Sequence, residues 1–117
     1  MEILSEKTCS ACCADSPKLN DADVQAALLQ LPEWRVEVVA GVNQLVRDYP
    51  FKNFVQAMAF SQAVGELAEE HGHHPALLTE WGKVRVSWWT HKIHGLHEND
   101  VIMAAKTEQL FSSSVAT

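Results

Sequence analysis

All six histidines of this 117-residue chain fall between His71 and His97, in the runs His71-Gly72-His73-His74-Pro75 and His91-Lys92-Ile93-His94-Gly95-Leu96-His97. An imidazole, with an ordinary pKa of about 6.5, is the usual side chain for moving protons or holding metals at neutral pH. Three histidines with one open position would make a hydrolytic metal site. The spacing argues against it, because a helical ligand pair needs i, i+4 and Gly72 breaks the first run where a ligand face would continue. His91, His94 and His97 step by three, but Gly95 and the strand before them favour a loop. Acid-base chemistry fits better. A dehydration needs one group to protonate a leaving oxygen and another to take a nearby proton, and paired imidazoles serve both ends. His73 and His74, stiffened by Pro75 at a helix end, can face His91 at a strand end, with Glu69, Glu70 and Asp100 as orienting carboxylates. Such a site calls for no cofactor and no metal. His71, His94 and His97 are each accounted for by a polar helix end or a loop.

The elements that must position these groups are legible from periodicity. Asn20 or Asp21 can cap a helix carrying Val24, Ala27, Leu28 and Leu31 at helical spacing, and Pro32 stops it. Trp34, Val36 and Val38 then alternate with Arg35 and Glu37 before Ala40-Gly41 and a second run from Gln44 to Tyr49, the pattern of a β-hairpin. A long helix is predicted over residues 51–71, with Gly72 at its left-handed end and Pro75 preventing resumption. Its first half, Phe51, Phe54, Val55, Ala57, Met58, Ala59 and Phe60, is apolar nearly all round, which points to an oligomer contact. Residues 76–81 and 83–90 form a second hairpin at Gly82, with Val84, Val86 and Trp88 alternating against Arg85, Ser87 and Trp89. A last helix is predicted over residues 98–111. The order α-β-β-α-β-β-α predicts an α+β fold, a four-stranded antiparallel sheet with three helices packed on one face.

Length and composition set the bounds. One domain is expected over residues 18–111, between a flexible arm (1–17) ending at Ser16-Pro17 and a frayed tail (112–117). With 47% hydrophobic and 21% charged residues the chain falls among soluble globular proteins, and no apolar run approaches a membrane span. The first residues lack the basic and apolar regions of an export signal, which predicts a cytoplasmic protein. A formal charge of −6, with nine scattered Lys and Arg, argues against nucleic acid as a partner. Cys9, Cys12 and Cys13 offer half a zinc site with no second pair to close it, so reduced thiols on the arm are expected.

Several spaced elements now coincide: Glu69-x-x-x-His73-His74-Pro75, Trp81, Val84-x-Val86-x-Trp88-Trp89-Thr90-His91, and Gly95-Leu96-x-x-x-Asp100. Together they resemble the signature of pterin-4a-carbinolamine dehydratases. Leu31-Pro32-x-Trp34 and Phe51-Lys52-Asn53-Phe54 extend the similarity to about residues 19–110. The resemblance implies the same α+β fold assembled as a homodimer or homotetramer. It also implies removal of water from 4a-hydroxytetrahydropterin, the product of aromatic amino acid hydroxylases, to give the quinonoid dihydropterin, so a hydroxylase is an implied partner. By similarity His73 and His91 are the acid-base pair, His74 holds the pterin ring, Glu69 supports the histidines or the pterin amino group, and Trp34 lines the pocket. Asp100 would hydrogen-bond and orient His91, as the third member of a catalytic triad orients its histidine, steadying the protonated form for the acid role. Two positions depart from the family. His97 stands where a small hydroxyl or amide residue usually caps the last helix, and imidazole is a poorer cap. Trp88-Trp89 is bulkier than the small polar residues often found before Thr-His. The rival function is a non-catalytic pterin-fold binding or regulatory protein: a hydroxylase stabiliser, a coactivator or a protein of molybdopterin metabolism. The apolar first half of the long helix motivates it.

Overall fold

The computed structural model describes residues 18–93 and 95–115; the arm with its three cysteines, His94 and the last two residues lie outside the described residues. Helix α1 spans Asp21–Leu28 and starts where Asn20 accepts a hydrogen bond from the Asp23 amide at 2.8 Å. A tight turn brings Leu31 into the core, and Trp34 follows it.

Strands β1 (Arg35–Val39) and β2 (Val42–Pro50) pair antiparallel around Ala40 and Gly41, whose φ values are +51° and +79°. Two successive left-handed residues match the twist of a two-residue hairpin, and only Gly41 adopts that region without strain. Strands β3 (Ala76–Glu80) and β4 (Lys83–Trp88) make the second hairpin. β4 pairs with β2, so the sheet order is β1-β2-β4-β3 and the longest strand lies inside it.

Helix α2 runs from Phe54 to His71, starting later than residue 51 because Asn53 is its cap, accepting from the Gln56 amide at 2.8 Å. Phe51 instead joins an aromatic cluster with Phe60, Phe111 and Tyr49. Helix α3 spans Glu98–Val115, so it continues past Phe111 through the serines. The helices cover one sheet face, where Leu45, Tyr49, Val84, Val86 and Trp88 meet Phe60, Val64, Met103 and Ala104. On the other face, Asp48 takes two hydrogen bonds from Arg85 and one from Arg35. The Arg85 bonds hold the Asp48 carboxyl below its ordinary range, against the opposing effect of burial.

The period-two and helical patterns thus translate into the expected α-β-β-α-β-β-α order and antiparallel sheet. Among the described residues no helix is long and apolar enough to cross a membrane.

Candidate active site

The end of α2 decides where the first histidine pair goes. Gly72 adopts φ +63° and ψ +28°, its amide bonds back to the Glu69 carbonyl, and the His73 amide reaches the Ala68 carbonyl at 3.2 Å. This is the double closure of a Schellman motif, in which the residue after the left-handed glycine turns back against the helix. His73 is therefore buried, with 8% of its surface exposed, whereas its neighbour His74 is exposed. His74 Nε2 meets Glu69 Oε1 at 2.5 Å, a pairing made across the same helix end.

His73 Nε2 lies 2.6 Å from Asp100 Oδ1. Asp100 is wholly buried, and its other oxygen accepts from the Thr90 hydroxyl at 2.8 Å and from the His97 amide at 2.9 Å. A buried carboxylate is costly unless its lone pairs are matched, and three donors match them here. The carboxylate fixes the His73 proton on Nε2 and leaves Nδ1 as the lone-pair nitrogen. The Trp88 indole, itself buried, stacks parallel to the His73 ring at 5.7 Å between centroids. Through one side chain the α2–β3 loop, the end of β4 and the start of α3 are tied together.

His91 follows Thr90, opening a short 3-10 turn, and is exposed with its ring 4.4 Å from that of Trp89. The expectation that Asp100 orients His91 is corrected: the carboxylate holds His73, and it reaches His91 only through the preceding residue, Thr90. α3 begins beside the β4 end, but its first turn presents Asp100 inward to the buried ring rather than outward to the exposed one.

Trp34, expected at the pocket wall, is tied into a second polar cluster. It is buried, its indole N–H donates to Glu108 at 2.8 Å, and its ring meets Tyr49 edge-on. Glu108 lies two turns beyond Asp100 along α3, roughly 12 Å of helix rise. There it also accepts from Arg47 and from the Tyr49 hydroxyl at 2.8 Å. Burial first, and then the bond to Glu108, hold the Tyr49 hydroxyl well above its ordinary pKa, so it stays protonated and donating. Trp34 belongs to this second polar cluster. Hydrogen bonds join His73 to Asp100 and His74 to Glu69, Thr90 ties the residue before His91 to Asp100, and the Trp34 indole bonds to Glu108.

Two residues bound up with Asp100 and His73, Thr90 and Trp88, are given no role by the sequence. Both sit within the motif but look like ordinary strand residues. His97 stands at the expected cap position, and its spacing to Asp100, three residues before a carboxylate at a helix start, is that of a capping box. Among the described residues no group of three His, Cys, Asp or Glu is arranged to hold a metal ion.

Comparison with known proteins places this geometry. A family model described as pterin 4 alpha carbinolamine dehydratase matches residues 17–110. A Marinobacter nauticus protein named "Putative pterin-4-alpha-carbinolamine dehydratase" is 57% identical over 111 residues, which cover 95% of this chain and all of that protein. The crystal structure of a transcriptional coactivator/pterin dehydratase from Brucella melitensis superposes with a TM-score of 0.72 at 30% identity, covering 80% of this chain and 98% of that one. A pterin dehydratase-like protein identified as a RuBisCO assembly factor in the alpha-carboxysome gives a TM-score of 0.57 at 25% identity, covering 67% and 88%. With a family model matching residues 17–110 and a relative 57% identical over 95% of the chain, the chain belongs to the pterin 4 alpha carbinolamine dehydratase family.

Proposed function

We propose that this dehydratase acts on 4a-hydroxytetrahydropterin, expelling water to give the quinonoid dihydropterin by histidine acid-base catalysis, and so serves pterin cofactor recycling. The observation that carries it is the buried His73 backed by a fully buried Asp100, with exposed His74 following His73 in the chain and exposed His91 following Thr90, whose hydroxyl donates to the same carboxylate. His73, keeping its Nε2 proton in a hydrogen bond to the carboxylate, takes the N5 proton on Nδ1. The resulting imidazolium is stabilised where it forms, as in an Asp-backed catalytic histidine. His91, open to water, gives its proton to the 4a-hydroxyl as the C4a–O bond breaks. The C4a–N5 double bond forms, water leaves, and solvent returns each histidine to its starting state. His74, steadied by Glu69, holds the pterin ring. Two such proton transfers fit a modest acceleration, about 10²- to 10⁴-fold.

The protein is further proposed to work as a homodimer or homotetramer, supported by Phe54, Val55 and Met58, which stand exposed on α2. A second function, as a partner of other proteins, is favoured by that same apolar face and by the coactivator and assembly-factor names of the two structural neighbours. An aromatic amino acid hydroxylase is the partner the substrate implies.

Stopped-flow decay of freshly generated 4a-hydroxytetrahydropterin tests the proposal. The protein accelerates the decay, and His73→Ala and His91→Ala each lower the rate at least about tenfold with unchanged circular dichroism. Full activity in both variants would sink the histidine assignment. An unchanged decay rate with the wild-type protein would leave the binding role as the function.

A further inference from the structure

His97 does more than begin a helix. Its backbone amide donates to Asp100 Oδ2 at 2.9 Å, while its ring Nδ1 accepts from the Asn99 amide at 3.0 Å. The Asp100 amide closes the turn on the His97 carbonyl at 2.9 Å. These reciprocal bonds form a capping box, in which the residue before the helix caps an early amide and an acid three residues on returns the bond. The box departs from the usual serine or threonine with glutamate in both partners. The cap is an imidazole, and the returning acid is the carboxylate that holds His73 at 2.6 Å.

We propose that His97 is a positioning residue for the proton chemistry of His73, acting through Asp100. The ring is buried, with 6% of its surface exposed, so its hydrogen-bonding state is set by the protein and not by solvent. Because Nδ1 accepts, the ring proton sits on Nε2. That tautomer anchors the first turn of α3. With the turn wound, the His97 amide and the Thr90 hydroxyl share one Asp100 oxygen and leave the other aimed at His73. An apolar residue at position 97 would leave the Asn99 amide without its cap, and the turn that presents Asp100 would loosen. The carboxylate would then lose its fixed direction toward the ring. An asparagine, a strong cap whose oxygen reaches an early amide, would keep the turn.

The inference rests on the proposed role of His73 for its kinetic consequence, but not for its structural one. In the full chain, His97→Leu should lower kcat about tenfold with KM within about twofold, equivalent to roughly 1.4 kcal/mol of barrier. It should also move the His73 ring nitrogen resonances. His97→Asn should keep kcat within about threefold of wild type and leave those resonances in place. A merely structural cap would lower thermal stability in the leucine variant without changing kcat or the His73 signals, and that outcome overturns the proposal. Equal loss in the asparagine variant also overturns it. Should the leucine variant not fold, the wild-type protein still decides: ring ¹⁵N spectra at neutral pH must place the His97 proton on Nε2, and a proton on Nδ1 rejects the cap. If the wild-type protein lacks dehydratase activity but the His73 resonances respond to His97→Leu, the positioning stands and the assigned reaction falls.

Discussion

Asp100 concentrates the cost of the site in one side chain. It has no exposed surface, and it is matched by an imidazole, a hydroxyl and a backbone amide. Removing the carboxylate would leave the His73 ring N–H, the Thr90 hydroxyl and the His97 amide buried without their acceptor, and each unmatched donor carries its full desolvation penalty. Asp100→Ala should therefore destabilise the fold by about 1–3 kcal/mol for each donor left unmatched, read as a fall in the denaturant midpoint. Asp100→Asn keeps the shape but lacks the charge that stabilises a protonated His73. It should lower turnover roughly 10²-fold while remaining folded. Near-wild-type turnover in the asparagine variant would show that the carboxylate only supports the structure. The identities of His73, His74, Glu69 and Asp100 were legible in the chain because their types and spacings coincide in one motif. The partner of Asp100 was not. Nothing local distinguishes a carboxylate facing His91, nine residues before it, from one facing His73, whose ring arrives by way of a left-handed turn and a complete hairpin.

Helix ends and strand pairs turn those residues into a site. Gly72 is the sharpest case: its φ of +63° is a left-handed position, and apart from its own chain neighbours nothing stands within 4 Å of where a Cβ would sit. Gly72→Ala meets backbone strain alone, about 1 kcal/mol, with no packing clash to confuse the result. It should lower thermal stability by roughly 4–8 °C and also reduce turnover, because the same turn sends His73 inward and His74 outward. Loss of stability with kcat unchanged would separate the turn from the chemistry. On the opposite sheet face Asp48 gives a pH prediction. Its pKa is lowered in the fold by Arg85, so its contribution is present above the unfolded carboxylate pKa of about 3.9 and is lost as pH falls through the lower folded value. The pair is about a third exposed, and solvent screening keeps it near 0.5 kcal/mol. Asp48→Asn should cost that much at neutral pH and progressively less as the pH falls through the lowered range of the folded carboxyl, a difference checked by urea titrations along that acid limb. The boundaries that the sequence missed were also set by tertiary contacts. Phe51 reads as the first residue of a helix by hydrophobic period, but its ring is claimed by Phe60 and Phe111, and the helix waits for Asn53. The partner of the Trp34 indole N–H was equally hidden, because Glu108 sits on a helix more than sixty residues away.

For the whole molecule the open question is what meets the outer face of α2. The sequence marks the first half of this helix as apolar nearly all round, and the fold uses only part of that surface: Ala57 and Phe60 are buried, while Phe54, Val55 and Met58 are 46%, 77% and 47% exposed. Residues 54, 55 and 58 share one side of a helix, since positions four apart lie one turn above another. Leaving a contiguous apolar strip in water forfeits roughly 25 cal/mol for each Å² that a partner could cover, and a stable self-association covers about 1,200–2,000 Å² in all. A symmetric contact places this strip against its own copy, so each substitution acts twice in the interface. Phe54→Glu with Met58→Glu should then shift the protein to a smaller species in sedimentation velocity at micromolar concentration, with the monomer fold intact by circular dichroism. Turnover per chain should be kept, because His73, Asp100 and His91 lie beyond the opposite end of α2 or on other elements. A wild-type protein that sediments as a monomer would remove the homo-oligomer and leave the strip for a different protein. An unchanged oligomer in the double variant would move the contact to another surface.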